Sequence, residues 1–355
     1  MFYIPAMENF ITNKSKKVQA AFIILFVLLS CNLCSANAKN SFTAKVILEI
    51  DLTKNAHNKE AKLWLPYPVS DKYQKISSLS IKGTYKEQGV YTDRKFKRNI
   101  FYAFWPSKSK SKRLIMSFIV TREERVENKA LNCSPLKCLD KTYFRDFLRG
   151  SSLSPLNQKV IDLSREIIGK ETDILKKAWL IYNWVIANMR RDPGTKGCGC
   201  GNICILLNTL SGKCADIHSV FVALLKAAGV PAREVFGLRL SRKEGTDITK
   251  WQHCWAEFYV PGYGWYVADP GDYLKAILEK RLDPTSEKAT KLAKYFFGAV
   301  DQYRVRFGIG RDIKLNPSAK MGKINYFMYP YAEVNGKALD YLDPESFSYK
   351  IIQKR

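Results

Sequence analysis

No apolar run in this 355-residue sequence reaches the length that a helix needs to cross a bilayer. The longest, Val18 to Leu29, has about a dozen residues against the roughly 20 of a spanning helix. The mature protein is therefore expected to be soluble or held only by lipid. Acidic residues are also scarce: 33 Asp and Glu face 58 Lys and Arg, a formal net charge of +25. A charge of this size favours polyanionic partners, such as an anionic envelope polymer or lipid surface, and says nothing about the fold. No groove-reading motif is present, and the basic residues are scattered, with Lys108, Lys110, Lys112 and Arg113 as the densest run. Specific nucleic-acid binding is not expected on this basis. A solvated basic surface is the plain alternative to any specific patch.

The flanks of Val18 to Leu29 give that run a different meaning. Lys14, Lys16 and Lys17 precede it and Ala36-Asn37-Ala38 follows, the charged, apolar and small-residue order of a secretory signal peptide over residues 1–38. Cutting there removes three Lys and one Glu, so the charge falls by two to +23. Leu28-Leu29-Ser30-Cys31 offers a second processing site, in which Cys31 would carry a lipid. The expected location is the periplasm or cell envelope, with anchoring through Cys31 as the variant. Of nine cysteines, Cys133, Cys138, Cys198, Cys200, Cys204, Cys214 and Cys254 lie beyond residue 38. An oxidising compartment favours pairing, and an odd number leaves one thiol over. The set fits one nucleophile plus up to three bridges, with Cys133 and Cys138 as a structural loop clip.

The length predicts two or three modules. From residue 39 to 125 the sequence reads as strands, with alternation in Phe42 to Ile50, the Leu63-Trp64-Leu65-Pro66 run, and Leu114 to Val120. These predict an N-terminal β-sandwich with no catalytic constellation of its own. A polar connector, 126–154, follows. Helical spacing then sets in, with Val160, Ile161, Leu163, Ile167 and Ile168 ending at Gly169, and a second helix over about Asp173 to Asn188. Beyond the Gly197-Cys198-Gly199-Cys200-Gly201 loop a third helix is expected from Cys214 to Gly229-Val230-Pro231, and then strands. The fold class expected is α+β, with a core over 155–275 and a C-terminal extension, 276–355, packing on it.

Cys214 stands at the first turn of that third helix, where unpaired amides and the helix dipole favour thiolate, the nucleophilic form. Alone this is a weak signal, because buried cysteines are common and inert. The run from Trp251 to Val260 reads as a strand, Pro261-Gly262-Tyr263-Gly264 as a turn, and Trp265 to Asp269 as the return. His253 lies eight residues before Pro261 and Asp269 eight after, so an antiparallel hairpin sets them opposite or within one register step. The carboxylate would then hold the imidazole in one tautomer while the other ring nitrogen faces the thiol. A satisfied histidine in an ordinary hairpin is the alternative for this pair taken alone.

Gly212-Lys213-Cys214-Ala215-Asp216, Ala228-Gly229-Val230-Pro231-Ala232-Arg233, His253-Cys254-Trp255-Ala256-Glu257-Phe258 and Gly264-Trp265-Tyr266-Val267-Ala268-Asp269-Pro270 together resemble the transglutaminase-like, papain-like core over about 155 to 275. The tail, with Asp301-Gln302-Tyr303-Arg304 and Asn325 to Tyr331, resembles a bacterial exported subgroup of that superfamily. The resemblance implies Cys214 as nucleophile, His253 as general base and acid, and Asp269 as the orienting carboxylate. It implies acyl transfer from a carboxamide or peptide through a thioester, with no cofactor. The expected partner is a peptide or protein substrate in the cell envelope, cleaved by a peptidase or amidase rather than crosslinked. An oxyanion site would draw on the Cys214 amide and, speculatively, on Asn208.

Competing roles attach to several neighbours. His218 shares a helical face with Cys214 but lacks a separate carboxylate other than Asp216 or Glu257, so a packing role is expected. Trp255 is expected in the core rather than as a shield against water. Cys198, Cys200 and Cys204 with His218 or Cys254 make an alternative soft-metal set whose spacing matches no usual ligand pair, so no metal is expected. A non-catalytic envelope scaffold that keeps the fold remains the alternative to an enzyme.

Overall fold

The computed structural model describes residues 40–93, 96, 98–127, 140 and 142–354. The signal-peptide region with Cys31, the Cys133–Cys138 clip and most of the connector lie outside the described residues.

The alternation near the N-terminus forms Ser41–Asp51, in which Ala44, Val46, Leu48 and Ile50 are buried and their neighbours face outward. This strand belongs to a four-stranded sheet in the order Tyr349–Lys354, Ser41–Asp51, Arg113–Glu123 and Gln74–Gly83. A second sheet runs Lys337–Ala338, Tyr331–Val334, Ala61–Pro66, Arg98–Trp105 and Glu87–Asp93. Side chains from both meet in one apolar cluster that includes Val46, Leu63, Phe101, Trp105 and Met116. The expected sandwich is thus present, with a difference in its make-up: three of its strands come from the last 25 residues. The C-terminal extension therefore completes both sheets as well as packing on the core.

The catalytic half is built on an antiparallel sheet, Gly264–Ala268, Gln252–Val260, Ala232–Arg239 and Arg304–Ile309, with helices against it. The first of these helices is Gln158–Ile168, capped by Asn157, whose side chain accepts from the Val160 amide. The next, Ile174–Asn188, is capped in the same way by Asp173. Helix Cys214–Ala227 lies at the centre with twelve buried residues, and Gly229 follows it in the left-handed region. Its flank against the sheet joins Ile217, Phe221 and Leu224 to Ala256, Phe258 and Tyr266. Burying that face, at roughly 25 cal/mol per Å² of apolar area, fixes where the helix start sits relative to strand Gln252–Val260.

Candidate active site

The start of helix Cys214–Ala227 is held by one carboxylate. Asp216 accepts the Lys213 amide at 3.1 Å with one oxygen and the Gly201 amide at 2.8 Å with the other. The glycine-rich loop wraps this carboxylate so closely that a Cβ on Gly199, at φ +86, would lie 1.8 Å from an Asp216 oxygen. The Cys198 carbonyl accepts the Ala215 amide at 2.9 Å, which brings the Cys198 side chain beside Cys214. As the first amide of the helix, that of Cys214 has no intrahelical acceptor and is available to a ligand oxygen.

His253 and Asp269 meet, though not in the way the spacing predicts. Ala256 pairs with Ala268 and Val260 with Gly264. Extending that register sets Asp269 against Trp255, two residues from His253. The three-residue turn 261–263 moves the hairpin centre from Pro261 to Gly262. Asp269 has also left the strand and caps helix Pro270–Lys280. From there its Oδ2 lies 3.1 Å from His253 Nε2. An ionised carboxylate only accepts, so the Nε2 proton of His253 points to Asp269 and Nδ1 is left for the thiol. His253 also lowers the Cys214 pKa, as a ring beside the sulfur would.

Four donors converge on Asp269. His218 Nε2 (3.1 Å) and the Asp272 amide (2.8 Å) meet Oδ1; His253 Nε2 and Arg304 Nη1 (2.5 Å) meet Oδ2. Burial raises the Asp269 pKa, but Arg304, then His253 and the bond from His218, outweigh it and hold the carboxyl well below its usual range. Arg304 is fully buried and also pairs with Asp272 and Asp301. Among the described residues the one cluster with the spacing of a metal site is His253, Asp269 and Asp272. The Arg304 guanidinium binds both of its carboxylates and stands where a cation would.

The thiol has two sulfur neighbours. The neighbouring thiols of Cys198 and then Cys254, followed by His253, hold Cys214 well below the ordinary thiol pKa although burial opposes this; Cys198 Sγ also reaches the Gln252 carbonyl at 3.2 Å, so its one proton is shared between two acceptors. The same contact pushes Cys198 up, and burial pushes Cys254 up. Cys254 also lies 3.2 Å from His218 Nδ1. His218 is therefore more than packing: it bridges Cys254 to Asp269, a carboxylate that the sequence reading did not offer it. Glu257 is instead bound by Arg125 and Arg233. Gly271 makes room for this histidine, since a Cβ there would lie 2.8 Å from His218 Cε1.

Other sequence expectations fare differently. Asn208 is not brought to the site; its amide accepts from Lys159 at 2.5 Å and donates to the Cys204 carbonyl on the helix surface. Both ends are engaged where Asn208 stands, because it lies one helical turn after Cys204. The five described cysteines, Cys198, Cys200, Cys204, Cys214 and Cys254, are all free, so the expected bridges are absent among them. Cys200 and Cys204 are exposed while Cys198 is buried, and the trio does not gather. Trp255 packs with Val235, Val267, Val300 and Ile309, as a core residue should. Sequence reasoning missed Arg304, Cys198 and Cys254 as neighbours of the triad. The Asp301-to-Arg304 run in the tail was the available signal for Arg304.

The site is covered. Cys214 is 4% exposed and His253 5%. Tyr326, Met328 and Tyr329, with Tyr341, Leu342 and Tyr349 at the edge, cluster with Cys198, Cys214 and Cys254. The Tyr329 hydroxyl donates to Cys198 Sγ at 3.3 Å, and Lys196 pairs with Asp340 at 2.8 Å. Two cavities flank this cover, of about 240 and 770 Å³, and Tyr341 and Leu342 line both.

Fold and site together define a cysteine-based, transglutaminase-like protein. The family model described as "Transglutaminase-like superfamily" matches residues 161–270, the span that holds Cys214, His253 and Asp269, and the chain belongs to that superfamily. An uncharacterized protein of Haemophilus influenzae is 35% identical over 319 residues, covering 83% of this chain and 86% of its own. A Cytophaga hutchinsonii crystal structure, provisionally designated a cysteine protease, matches 89% of this chain and 98% of its own at 16% identity and a TM-score of 0.53, a likeness of fold. The periplasmic domain of TgpA from Pseudomonas aeruginosa matches 68% of this chain and 96% of its own at 14% identity and a TM-score of 0.34.

Proposed function

We propose that this protein is an exported thiol hydrolase that cleaves peptide or amide bonds in the cell envelope, with Cys214, His253 and Asp269 as its triad. The observation that carries the reading is the contact chain from sulfur to imidazole to carboxylate, buried and braced by Arg304. The Cys214 thiolate attacks the carbonyl carbon, and the Cys214 amide receives the developing oxyanion. His253 gives the Nδ1 proton to the departing amine, and a thioester remains. A water then attacks as His253 takes its proton, the carboxylic product leaves, and the thiol is restored. Asp269 holds the ring through Nε2 throughout. Hydrolysis is preferred to transfer because no site for a second amine is evident among the described residues. The envelope assignment rests on the lysine-led apolar run and the Ala36-Asn37-Ala38 site.

One observation favours the alternative of a non-catalytic scaffold: the thiol is covered. The two separate by trapping. Wild-type protein exposed to envelope extract should carry an acyl mass on Cys214, which the Cys214→Ala variant lacks, and His253→Ala should slow its formation by about 10²–10⁴. A thiol that takes up no acyl group and resists iodoacetamide near neutral pH would point to the scaffold.

A further inference from the structure

At the far end of the catalytic helix is a cavity of about 480 Å³ that the chemistry above does not use. Its wall includes Lys226, in the last turn of the helix that begins at Cys214. Twelve residues of helix separate the two, roughly 18 Å. A volume of this size is in the range of small-ligand sites, about 300–1,000 Å³.

The charges of the wall do not cancel. Its acids are already occupied: Asp93 lies 3.4 Å from Arg98, Asp146 pairs with Arg149, Glu234 pairs with Arg311, and Asp312 accepts the Ser152 amide. Three lysines of the wall, Lys226, Lys314 and Lys323, have no carboxylate within ion-pair distance among the described residues. Burial lowers the Lys226 pKa, and the nearby Glu234 and Asp312 carboxylates only partly offset it. Arg98 is 3% exposed; its Nη2 donates to the Ile309 carbonyl at 2.8 Å, while Nη1 has no hydrogen-bond partner.

We propose that this cavity is a second binding site, for a phosphate-bearing anion, independent of Cys214. Several cations in one wall suit a tetrahedral phosphate, with four acceptor oxygens to share, better than a single carboxylate. The ligand is either a soluble phosphomonoester or the phosphodiester headgroup of an anionic lipid. In the second case the site would hold the enzyme against the envelope in which its substrates lie.

The test uses the full chain at low ionic strength. Calorimetric titration with inorganic phosphate should give saturable binding, weakened about tenfold by Lys226→Gln and by Lys314→Gln, the loss of one charge-assisted contact. Neither lysine has an ion-pair partner to strand, so both variants should melt as the wild type does. Lys110→Gln, at an exposed position outside the cavity, should bind phosphate normally, as should Cys214→Ala. Co-sedimentation with phosphatidylglycerol vesicles but not phosphatidylcholine vesicles, reversed by phosphate and weakened by Lys226→Gln, identifies a lipid headgroup. Phosphate binding without vesicle binding identifies a soluble ligand. Absence of saturable binding, or equal weakening by Lys110→Gln, overturns the site and leaves the thiol chemistry untouched.

Discussion

Cys214, the proposed nucleophile, is influenced by sulfur as well as by imidazole. A helix start alone favours thiolate, and here Cys198 and Cys254 beside the sulfur lower its pKa as well. An anion stabilised by donors has a lowered pKa, so removing a donor must raise it and leave less thiolate at any given pH. Cys198→Ala should therefore move the midpoint of the pH dependence of Cys214 alkylation to higher pH while leaving the limiting rate in alkali unchanged. Iodoacetamide incorporation followed by mass spectrometry from acid to alkaline pH measures this, and an unmoved midpoint would show that Cys198 is only a packing neighbour. Cys198 was legible in the sequence merely as part of an unusual glycine-rich loop. What aligns it is the Ala215-to-Cys198 backbone bond, a contact between residues too far apart in sequence for local pattern to reveal.

Among the elements, those that announce themselves locally were read well and those that depend on distant chain were not. Alternation placed Ser41–Asp51, and the second helix opens where expected, at its Asp173 cap; the first opens at Gln158 behind its Asn157 cap, past Pro155, which the sequence put just inside it. Cys214, His253 and Asp269 stood out as candidates because Cys214 opens a helix and the other two flank one hairpin. Their register was not legible, because symmetry about Pro261 ignores the three-residue turn and the departure of Asp269 into a cap. Least visible was strand Tyr349–Lys354, which pairs with Ser41–Asp51 across some 300 residues, for instance Ile47 with Ile352. Ile351 and Gln353 are buried there, and Gln353 binds the backbone of Ser241 through both ends of its amide. Removing residues 349–355 should strip an edge strand, expose the Ser41–Asp51 ladder and lower the melting temperature. If the tail were a mere appendage on the core, calorimetry would find the melting temperature unchanged.

At the scale of the whole molecule, the N-terminal sandwich and the catalytic half are tied by one C-terminal stretch that adds strands to the former and covers the nucleophile of the latter. If a reagent reaches Cys214 by displacing this cover, the rate of attack is governed by two equilibria, opening and ionisation. These respond to different substitutions. The Lys196–Asp340 pair is exposed on both sides and is worth less than about 1 kcal/mol, so losing it should change little. Leu342 carries more of the closure, because its methyl groups fill the space above Gly197, where an added Cβ would lie 2.8 Å from Leu342 Cδ2. Leu342→Ala removes roughly 1 kcal/mol of apolar contact from the closed form. Alkylation of Cys214 should then quicken about fivefold at every pH, with its midpoint unmoved, the converse of Cys198→Ala. Measuring both variants over one pH series separates gate from acid. A Leu342→Ala protein that alkylates at the wild-type rate would mean that Leu342 does not gate the thiol.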